Sequence, residues 1–264
     1  MRLAAVQHDI IWNDRQANFA RLAPMIAAAV AGGARLVLLT ETFSTGFAVD
    51  DPQLAEPEGG PSSQFLAEQA ALHGVWVCGS CPEVPAGTDP ADTRPANSFV
   101  LAGPDGTMHR YHKIHPFTFG GEDRHFRPGS GFVQVEIDGV RISLFVCYDL
   151  RFADEFWGLA PTTDLYLVPA NWPEPRRSHW MALLQARAIE NQAYVVGCNR
   201  VGEGGGLTYV GDSRIVDPLG ELLATRRDAS TGGARAELAF RLGQLRADKL
   251  TDRVGALASF REVL

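Results

Sequence analysis

The sequence is short of long hydrophobic runs, of cysteine and of positive charge. Its chain contains no uninterrupted apolar stretch of about 18 residues, the minimum for a helix that spans a bilayer. The first segment, MRLAAVQHDI, lacks the apolar core and the small-residue cleavage site of a signal peptide. Its four cysteines are too few for a disulfide framework and are typical of a reducing compartment. We therefore expect a cytoplasmic protein.

The charge balance and the composition exclude other classes of protein. The net charge is -7 at pH 7 and no basic patch occurs, which argues against a nucleic-acid or anionic-membrane partner. A hydrophobic content of 45% and a charged content of 21% are ordinary for a globular protein. No internal repeat, low-complexity stretch or linker divides the chain, so we predict a single domain over residues 1–264.

Hydrophobic periodicity predicts alternating strands and helices. Apolar spacing indicates helices over residues 14–31, 61–73 and about 176–191, and a last helix and tail over residues 243–264. The pair Asp138-Gly139 between two apolar runs is the strongest hairpin signal. Strands are expected over residues 3–8, 35–40, 75–79, 98–102, 107–114, 132–137, 140–146, 164–170 and 193–198, and in hairpins over 207–224 and 234–240.

Cys147 lies where an apolar, strand-like run, LFVC, meets the charged and aromatic stretch YDLRF. A thiol at such a strand end is held by a rigid element and faces the crevice where α/β enzymes bind ligands. The alternative is a buried thiol that behaves as a small hydrophobe. Because the ordinary thiol pKa of about 8.5 leaves little thiolate at neutral pH, a nucleophile needs a base or a cation nearby.

One segment, RYHKIHPFTFGGEDRHF, concentrates such groups. It contains Lys113, Glu122 and three histidines, His112, His115 and His125. The histidines could form a Cys-His pair or bind a metal. However, no H-E-x-x-H motif or matching set of ligands accompanies them. We therefore expect no metal, and we expect the histidines to position the lysine.

Glu41 completes a set of three motifs. It follows the run RLVLLT, typical of a buried parallel strand, and its alternatives are a helix cap or a solvated loop residue. In this order, Glu41 in TETF, Lys113 in YHKIHPF and Cys147 in FVCYDLRF resemble the three signature segments of the nitrilase superfamily, the carbon-nitrogen hydrolases. The resemblance runs from AAVQHDI to the DPLGE segment that begins at Asp217. The segments TGF, GGEDRHFRPG and CYDLRF look closest to the omega-amidase branch, whose members hydrolyse the terminal amide of small keto-dicarboxylic acid monoamides.

The resemblance implies a mechanism and an architecture. Glu41 would be the general base and Cys147 the nucleophile that forms a thioester, while Lys113 and the backbone N–H of Tyr148 would stabilise the oxyanion. Ammonia would be released, and no cofactor would be needed. The implied fold is an α/β four-layer αββα sandwich. Its protomers would pair through a helical face into an αββα-αββα homodimer, with residues 243–264 packed across the dimer.

Two charged residues beside these motifs have two interpretations each. Glu122 resembles a second glutamate that orients the lysine or the substrate, although Asp123 could serve electrostatically and both could be loop charges. Arg151 lies four residues after Cys147, a spacing that resembles family members whose substrates carry a carboxylate. An arginine can bind a carboxylate through two parallel hydrogen bonds, which a lysine cannot do. The alternative for Arg151 is a structural ion pair with Asp149 or Asp154.

Three further residues, Phe117, Asn171 and Trp172, are expected to line the substrate pocket, although core packing explains the tryptophan equally well. Nitrile hydrolysis and the cleavage of N-carbamoyl amines use the same glutamate, lysine and cysteine, so both stay open. A catalytically silent scaffold that binds a small ligand is the alternative that involves no enzyme.

The remaining cysteines and glycines suggest no strong motif. Cys78 and Cys81 form one C-x-x-C pair, which could indicate thiol-redox chemistry, but a single pair without a second ligand pair is a weak signal. Cys198 is expected to be a buried core thiol. The glycine run at residues 202–206 lacks the lysine of a phosphate-binding loop and is expected to be a flexible turn.

Overall fold

The computed structural model describes residues 1–89, 91–227 and 237–241. The strands, in chain order, are β1 (Arg2–Val6), β2 (Leu36–Leu38), β3 (Glu56–Pro57), β4 (Trp76–Val84), β5 (Ala96–Ala102), β6 (Met108–His112), β7 (Gln134–Ile137), β8 (Val140–Leu144), β9 (Leu165–Ala170), β10 (Tyr194–Asn199), β11 (Val201–Gly204), β12 (Leu207–Val216), β13 (Leu222–Arg227) and β14 (Glu237–Arg241). The α-helices are α1 (Arg15–Ala31), α2 (Pro61–His73), α3 (Glu122–His125), α4 (Ala153–Leu159) and α5 (Arg177–Asn191). The helix and tail predicted over residues 243–264 lie outside the described residues.

The strands form two mixed sheets. The order in the first sheet is β14-β1-β2-β4-β5-β6, with β3 paired to β4. The order in the second sheet is β11-β12-β10-β9-β8-β7, with β13 paired to β12. Strands β1, β2 and β4 are parallel neighbours, and so are β8, β9 and β10. Their carboxyl ends therefore collect at one edge of each sheet.

Alternating burial shows how the sheets and helices are layered. In β1, Leu3 and Ala5 belong to a core cluster with residues of both sheets, whereas Ala4 and Val6 belong to a cluster with α1 and α2. This period of two is typical of a strand buried on both faces. On the other side of the second sheet, α5 packs against β10 and β12, and α4 packs against α5. The predicted four-layer αββα sandwich is confirmed.

Helix α5 lies very close to the second sheet at Gly197. A Cβ atom at this position would lie 2.6 Å from side-chain atoms of both Leu184 and Trp180. Since such a distance is far inside van der Waals contact, any larger residue would have to displace these two side chains.

The helix boundaries follow the local sequence signals. Asp14 caps α1, its side chain accepting a hydrogen bond from the Ala17 N–H at 3.0 Å. Gly74 closes α2 in the left-handed conformation, with φ of 66°. Both predicted helices are confirmed. No helix in the described ranges is long and apolar enough to cross a membrane.

The two turn predictions had different outcomes. The hairpin at Asp138-Gly139 is confirmed: both residues have positive φ, 50° and 69°, and β7 pairs antiparallel with β8. The flexible turn predicted at residues 202–206 is wrong for most of its length. Strand β11 extends to Gly204 and pairs with β12, because the backbone can form a ladder without side chains. Only Gly205 and Gly206 make the turn, with φ of 56° and 75°.

Strand ends from both sheets bring the polar residues of the site together. Glu41 follows β2, Lys113 follows β6 directly, Cys147 follows β8, and Asn171 follows β9 directly. Because β2 and β6 belong to one sheet and β8 and β9 to the other, the site is built across the interface of the two sheets.

Candidate active site

The acid, the ammonium and the thiol that the sequence predicts as catalytic are in contact. Lys113 Nζ donates to Glu41 Oε1 at 2.9 Å, and the Cys147 thiol is hydrogen-bonded to the Glu41 carboxylate. All three side chains line one pocket. Glu41 is 0% exposed, Lys113 1% and Cys147 8%, so the reacting groups are nearly free of solvent.

Hydrogen bonds from both sheets fix the Glu41 carboxylate. Besides Lys113, Oε1 accepts from Asn97 Nδ2 at 2.9 Å, and Oε2 accepts from the backbone N–H of Asn171 at 2.8 Å. The Asn171 side chain in turn donates to the Glu41 carbonyl oxygen at 2.7 Å. A buried carboxylate with several donors is held in one orientation. Asn171 therefore lies at the pocket, as predicted, and also orients Glu41.

Glu122 is the second carboxylate that contacts the ammonium. Its Oε2 accepts from Lys113 Nζ at 2.8 Å and from the Phe117 N–H at 2.6 Å, and its Oε1 accepts from Asn97 Nδ2 at 2.9 Å. Glu122 is completely buried, so it is not a solvated loop charge. Asp123, the alternative, is exposed. Asn97, which bridges both glutamates, escaped the sequence analysis because it stands with Ser98 at the start of β5, before the apolar part of the strand.

Charge compensation keeps Lys113 protonated. Burial alone would lower the pKa of its ammonium, but the nearby charges of Glu122 and Glu41 outweigh burial and hold that pKa well above its usual value. A cation fixed between two carboxylates and placed next to the thiol is suited to stabilising negative charge that develops near Cys147.

Cys147 has a constrained backbone and a protonated thiol. It opens a short 3-10 turn (Cys147–Arg151) with φ of 45°, a left-handed value that costs a residue other than glycine on the order of 1–3 kcal/mol. Burial raises the pKa of the thiol well above its usual value, and the Glu41 charge adds to this while Lys113 opposes it. The thiol therefore needs a base that removes its proton during attack, and Glu41 is hydrogen-bonded to it.

Asp149 connects the strand that carries Lys113 with the turn that carries Cys147. Its carboxylate accepts from the Tyr111 hydroxyl at 2.8 Å and from the backbone N–H groups of Val146 at 2.9 Å and His115 at 3.0 Å. Burial raises the pKa of Asp149 to about 6, although Lys113 and these donors favour the charged form. With its oxygens occupied in this way, Asp149 forms no ion pair with Arg151 in the part of the chain that the structure describes.

In the described structure, the three histidines near Lys113 bind groups other than its ammonium. His112 Nδ1 is hydrogen-bonded to Ser98 Oγ at 2.9 Å. His115 Nε2 is 2.6 Å from Glu155 Oε1, and its ring stacks on Phe152. His125 is exposed on α3. Among the residues described, the hydrogen-bond partners of the Lys113 ammonium are the two glutamates, so the histidines do not orient it by direct contact, and their role in positioning the lysine stays a prediction.

Arg151 lines the pocket between aromatic rings. Its Nη2 is 3.0 Å from His179 Nδ1, and its guanidinium lies 5.0 Å from the Trp172 ring centroid and 5.8 Å from that of Tyr148. The alternative partners proposed for it, Asp149 and Asp154, do not bind it in the described structure. Trp172 is 4% exposed and lies against Trp180, with ring centroids 5.5 Å apart, so it belongs to both the pocket and the core.

The pocket contains residues that the sequence analysis did not identify. Phe117 lines it, as predicted. Phe47, Arg176 and Tyr209 also line it, and these three were not predicted. Lys113 Nζ lies 5.4 Å from the centroid of the Phe47 ring, which shields the ammonium from solvent. No spacing rule identifies Arg176 and Tyr209, because neither belongs to one of the motifs, whereas Phe47 is the last residue of the TGF segment that follows Glu41. The position of Phe47, directly after the TG of STGF, was the one sequence signal available for these three pocket residues.

The other thiols do not form a redox pair. Cys78 belongs to the core between the sheets and Cys81 to the core beneath α1 and α2, because residues three apart on β4 face opposite sides. Cys198 is a buried core thiol, as predicted. Within the described ranges, all four cysteines are free, and no group of three or more histidine, cysteine, aspartate or glutamate side chains is arranged to hold a metal ion.

Comparison with known proteins identifies the family. The carbon-nitrogen hydrolase model matches residues 2–246. The chain is 40% identical over 232 residues to the omega-amidase YafV of Escherichia coli (strain K12), covering 85% of this chain and 84% of that protein. It is 33% identical over 210 residues to the 2-oxoglutaramate amidase of Bacillus subtilis (strain 168), covering 78% of each.

A solved structure agrees with these sequence matches. A CN-hydrolase superfamily protein of Xanthomonas campestris, crystallised with an arsenic adduct in its active site, has a TM-score of 0.85 and 32% identity over 99% of this chain and 96% of that one. Together with the contact between Glu41, Lys113 and Cys147, these matches show that the chain belongs to the carbon-nitrogen hydrolase family.

Proposed function

We propose that the protein is an omega-amidase, which hydrolyses the terminal amide of a small carboxylate-bearing amide through a thioester on Cys147 and releases ammonia. The observation that supports this most directly is the buried contact of Lys113 Nζ with Glu41 Oε1 at 2.9 Å, next to a protonated thiol. The names of the relatives from Escherichia coli and Bacillus subtilis support the amide as the bond that is cleaved.

In the first half of the reaction, Glu41 takes the thiol proton while the Cys147 sulfur attacks the amide carbon. The carbonyl oxygen becomes an oxyanion, which Lys113 Nζ and the backbone N–H of Tyr148 stabilise. Tyr148 is the second residue of the 3-10 turn, so its N–H belongs to the first turn, where backbone donors lack partners within the helix. Collapse of the intermediate breaks the carbon-nitrogen bond, and protonated Glu41 supplies the proton with which ammonia leaves.

In the second half of the reaction, a water molecule takes the place of ammonia. Glu41, again a carboxylate, removes a proton from this water, which attacks the thioester carbonyl. The same donors stabilise the second oxyanion. When the carbon-sulfur bond breaks, the thiolate recovers the proton from Glu41 and the carboxylic acid product is free. Glu122 and Asn97 keep Lys113 and Glu41 in position during both halves.

The two arginines of the pocket support a substrate with a carboxylate at the end opposite the amide. Arg151 and Arg176 are partly exposed, whereas Glu41, Lys113 and Glu122 are buried. An anionic end of the substrate would therefore point toward the arginines, and the neutral amide would point toward Cys147. Phe117 and Trp172 would contact the methylene groups between the two ends.

Mass spectrometry with a panel of substrates tests this function. Wild-type protein is incubated with 2-oxoglutaramate, a matched nitrile and an N-carbamoyl amine while ammonia release and the intact protein mass are followed. We expect release from 2-oxoglutaramate and an adduct with the mass of the substrate minus ammonia. Preferred turnover of the nitrile or the carbamoyl amine would assign the protein to those activities instead, and no turnover of any compound would indicate a silent scaffold.

Variants locate the adduct. Cys147→Ser and Cys147→Ala should abolish turnover and the adduct while the protein stays folded, because the thiol contributes little core volume. Cys198→Ala is the matched control, since it also removes a buried thiol but does so in the core, away from the pocket. Turnover that survives in Cys147→Ala would refute the nucleophile assignment.

We also propose that the chain forms one domain that works as a cytoplasmic homodimer. Trp157 on α4 and Ile189 on α5 are 56% and 50% exposed, and their two helices pack side by side, so a partner seated on this face would cover them. Free thiols in the described structure agree with a reducing compartment. Sedimentation equilibrium of the wild-type protein and of Trp157→Glu tests the dimer, and a monomeric wild-type protein would refute it.

A further inference from the structure

The pocket separates charge along its length. At its buried end, two carboxylates, those of Glu41 and Glu122, face the single ammonium of Lys113. At its partly exposed end lie the guanidinium groups of Arg151 and Arg176. A substrate carboxylate is therefore repelled from the buried end and attracted to the arginines. The structure distinguishes the two arginines by the contacts that each already has.

Arg151 already has partners for its guanidinium. Its Nη2 is within hydrogen-bond distance of His179 Nδ1, 3.0 Å, and the planar group lies over Trp172 on one side and near Tyr148. One of its donors is therefore engaged, and two aromatic rings restrict where its plane can turn. Arg151 thus contributes positive charge and part of the pocket wall.

Arg176 is fixed in place, but its donors are free. The indole N–H of Trp172 donates to the Arg176 carbonyl oxygen at 2.7 Å, which anchors the backbone next to the pocket. The guanidinium lies 5.1 Å from the Phe117 ring centroid and 6.0 Å from that of Phe119. Within the described ranges, no carboxylate or carbonyl oxygen accepts a hydrogen bond from it. An oriented guanidinium with unused donors is what bidentate binding of a carboxylate requires.

Tyr209 provides a neutral donor in the same pocket. It is 4% exposed, and its ring lies 4.5 Å from the guanidinium of the buried Arg200, whose Nη2 is held by the carbonyl oxygens of Ile10 and Glu203. Burial raises the pKa of the Tyr209 phenol to about 12, so its hydroxyl keeps its proton at neutral pH. In the described part of the chain, this hydroxyl has no hydrogen-bond partner.

We propose that Arg176 is the residue that determines specificity for the substrate carboxylate, which its guanidinium binds through two parallel hydrogen bonds while the Tyr209 hydroxyl donates to the same end of the substrate. This inference rests on the proposed function, which provides a substrate with an amide at one end and a carboxylate at the other. The substrate class is then the monoamide of a short dicarboxylic or oxo-dicarboxylic acid.

Two substrates that differ only at the carboxylate test the inference. Glutaramate has the carboxylate, and pentanamide has a methyl group in its place. For Arg176→Gln, we expect kcat/KM on glutaramate to fall by about tenfold to a hundredfold, as for loss of a hydrogen bond to a charged group. On pentanamide, which has no carboxylate, kcat/KM should fall much less. Tyr209→Phe should lower kcat/KM on glutaramate by about tenfold or more, because its hydroxyl also donates to the charged carboxylate.

Matched variants separate binding from folding. Arg124→Gln removes one positive charge from an exposed position on α3 that does not line the pocket, and it should leave both substrates unaffected. Arg176→Met removes the charge but keeps an apolar stem over Phe117. It replaces Arg176→Gln in the comparison of the two substrates if the glutamine variant folds poorly. Alkylation of Cys147 by neutral iodoacetamide at the wild-type rate shows that the site is intact.

The outcomes distinguish this inference from the proposed function. Equal losses on glutaramate and pentanamide in Arg176→Gln would overturn the inference. So would a loss confined to glutaramate that appears in Arg151→Gln and not in Arg176→Gln. If wild-type protein hydrolyses pentanamide as well as it does glutaramate, the proposed substrate class itself fails. A wild-type preference for glutaramate that Arg176→Gln retains would overturn the inference alone.

Discussion

The Tyr111 hydroxyl donates to Asp149 Oδ2 at 2.8 Å, and this bond joins β6, the strand directly before Lys113, to the turn that begins at Cys147. The Asp149 carboxylate also accepts from the N–H of Val146, the residue before the cysteine. Asp149 touches neither the thiol nor the ammonium through these bonds. It is a positioning residue, because it fixes the two backbone segments from which the reacting groups project.

Removal of the Tyr111 hydroxyl should weaken this connection. Tyr111→Phe leaves a buried carboxylate with one donor fewer, so we expect the free energy of unfolding to fall by about 1–3 kcal/mol. We also expect kcat to fall with little change in KM. Urea unfolding and steady-state kinetics measure both. Tyr194→Phe is the matched control, since the Tyr194 hydroxyl is buried without a hydrogen-bond partner in the described structure. Equal behaviour of the two variants would contradict the role of Asp149.

The stability of the protein should depend on pH through Asp149. Burial raises the pKa of this carboxyl to about 6 in the folded protein, whereas an unfolded aspartate titrates near 3.9. As the pH falls, the Asp149 carboxylate is therefore protonated at a higher pH in the folded protein than in the unfolded chain. The free-energy cost of burying its charge is fully present above about pH 6 and disappears as the pH falls to about 4. Asp149→Asn has no such titration.

Wild-type protein should therefore gain stability relative to Asp149→Asn as the pH falls from about 7 to about 4, by roughly 3 kcal/mol. Urea unfolding of both proteins at several pH values in this range measures the difference. Comparison of the two cancels the titration of all other groups that the substitution leaves unchanged. A difference that is constant with pH would show that Asp149 has an ordinary pKa.

The Glu41 and Cys147 positions were predictable because each follows a strand that can be recognised from its apolar residues, whereas Lys113 follows the polar strand MHRYH and was identified from its motif. Their mutual contact was not, since it depends on the packing of two sheets that no local pattern specifies. Glu41 and Asn171 are 130 positions apart and still share two hydrogen bonds. Only the family resemblance predicted that these segments meet.

The residues that the sequence did not identify make contacts across layers. Asn97 is an amide at the start of an apolar strand, and its position gives no hint that two glutamates lie opposite it. Arg176 and Tyr209 belong to no motif, and the role proposed for them depends on side-chain donors that have no acceptor among the described residues, which only coordinates show. The extent of β11 was missed for a different reason, because glycine has a low strand propensity and tertiary pairing overrides it.

Arg151 should have a smaller effect on specificity than Arg176. Because it contributes a partly exposed charge and not a fork, Arg151→Ala should raise KM for glutaramate by up to about fivefold. KM for pentanamide should change less, and Arg151→Lys should restore most of the affinity for glutaramate, since the charge is kept. Competitive inhibition by glutarate gives an independent measure of the same contact. An equal rise in KM for both amides would show that Arg151 acts through packing on Trp172.

Asn97 should be required for catalysis although it does not line the pocket. Its Nδ2 donates to Glu41 Oε1 and Glu122 Oε1, both at 2.9 Å, so it keeps apart two carboxylates that share one ammonium. In Asn97→Ala both lose a charge-assisted hydrogen bond, and we expect kcat to fall by about tenfold to a hundredfold. KM should stay nearly constant, because the substrate contacts are unchanged.

A second variant and a control complete the test of Asn97. Asn97→Asp places a third carboxylate against the other two, so its kcat should fall further than that of Asn97→Ala. Asn191→Ala removes another buried amide, at the end of α5, and should lower the free energy of unfolding without affecting kcat. If Asn97→Ala loses only stability, as Asn191→Ala is expected to do, then Lys113 and the two glutamates keep their geometry without the amide, and Asn97 is only a core residue.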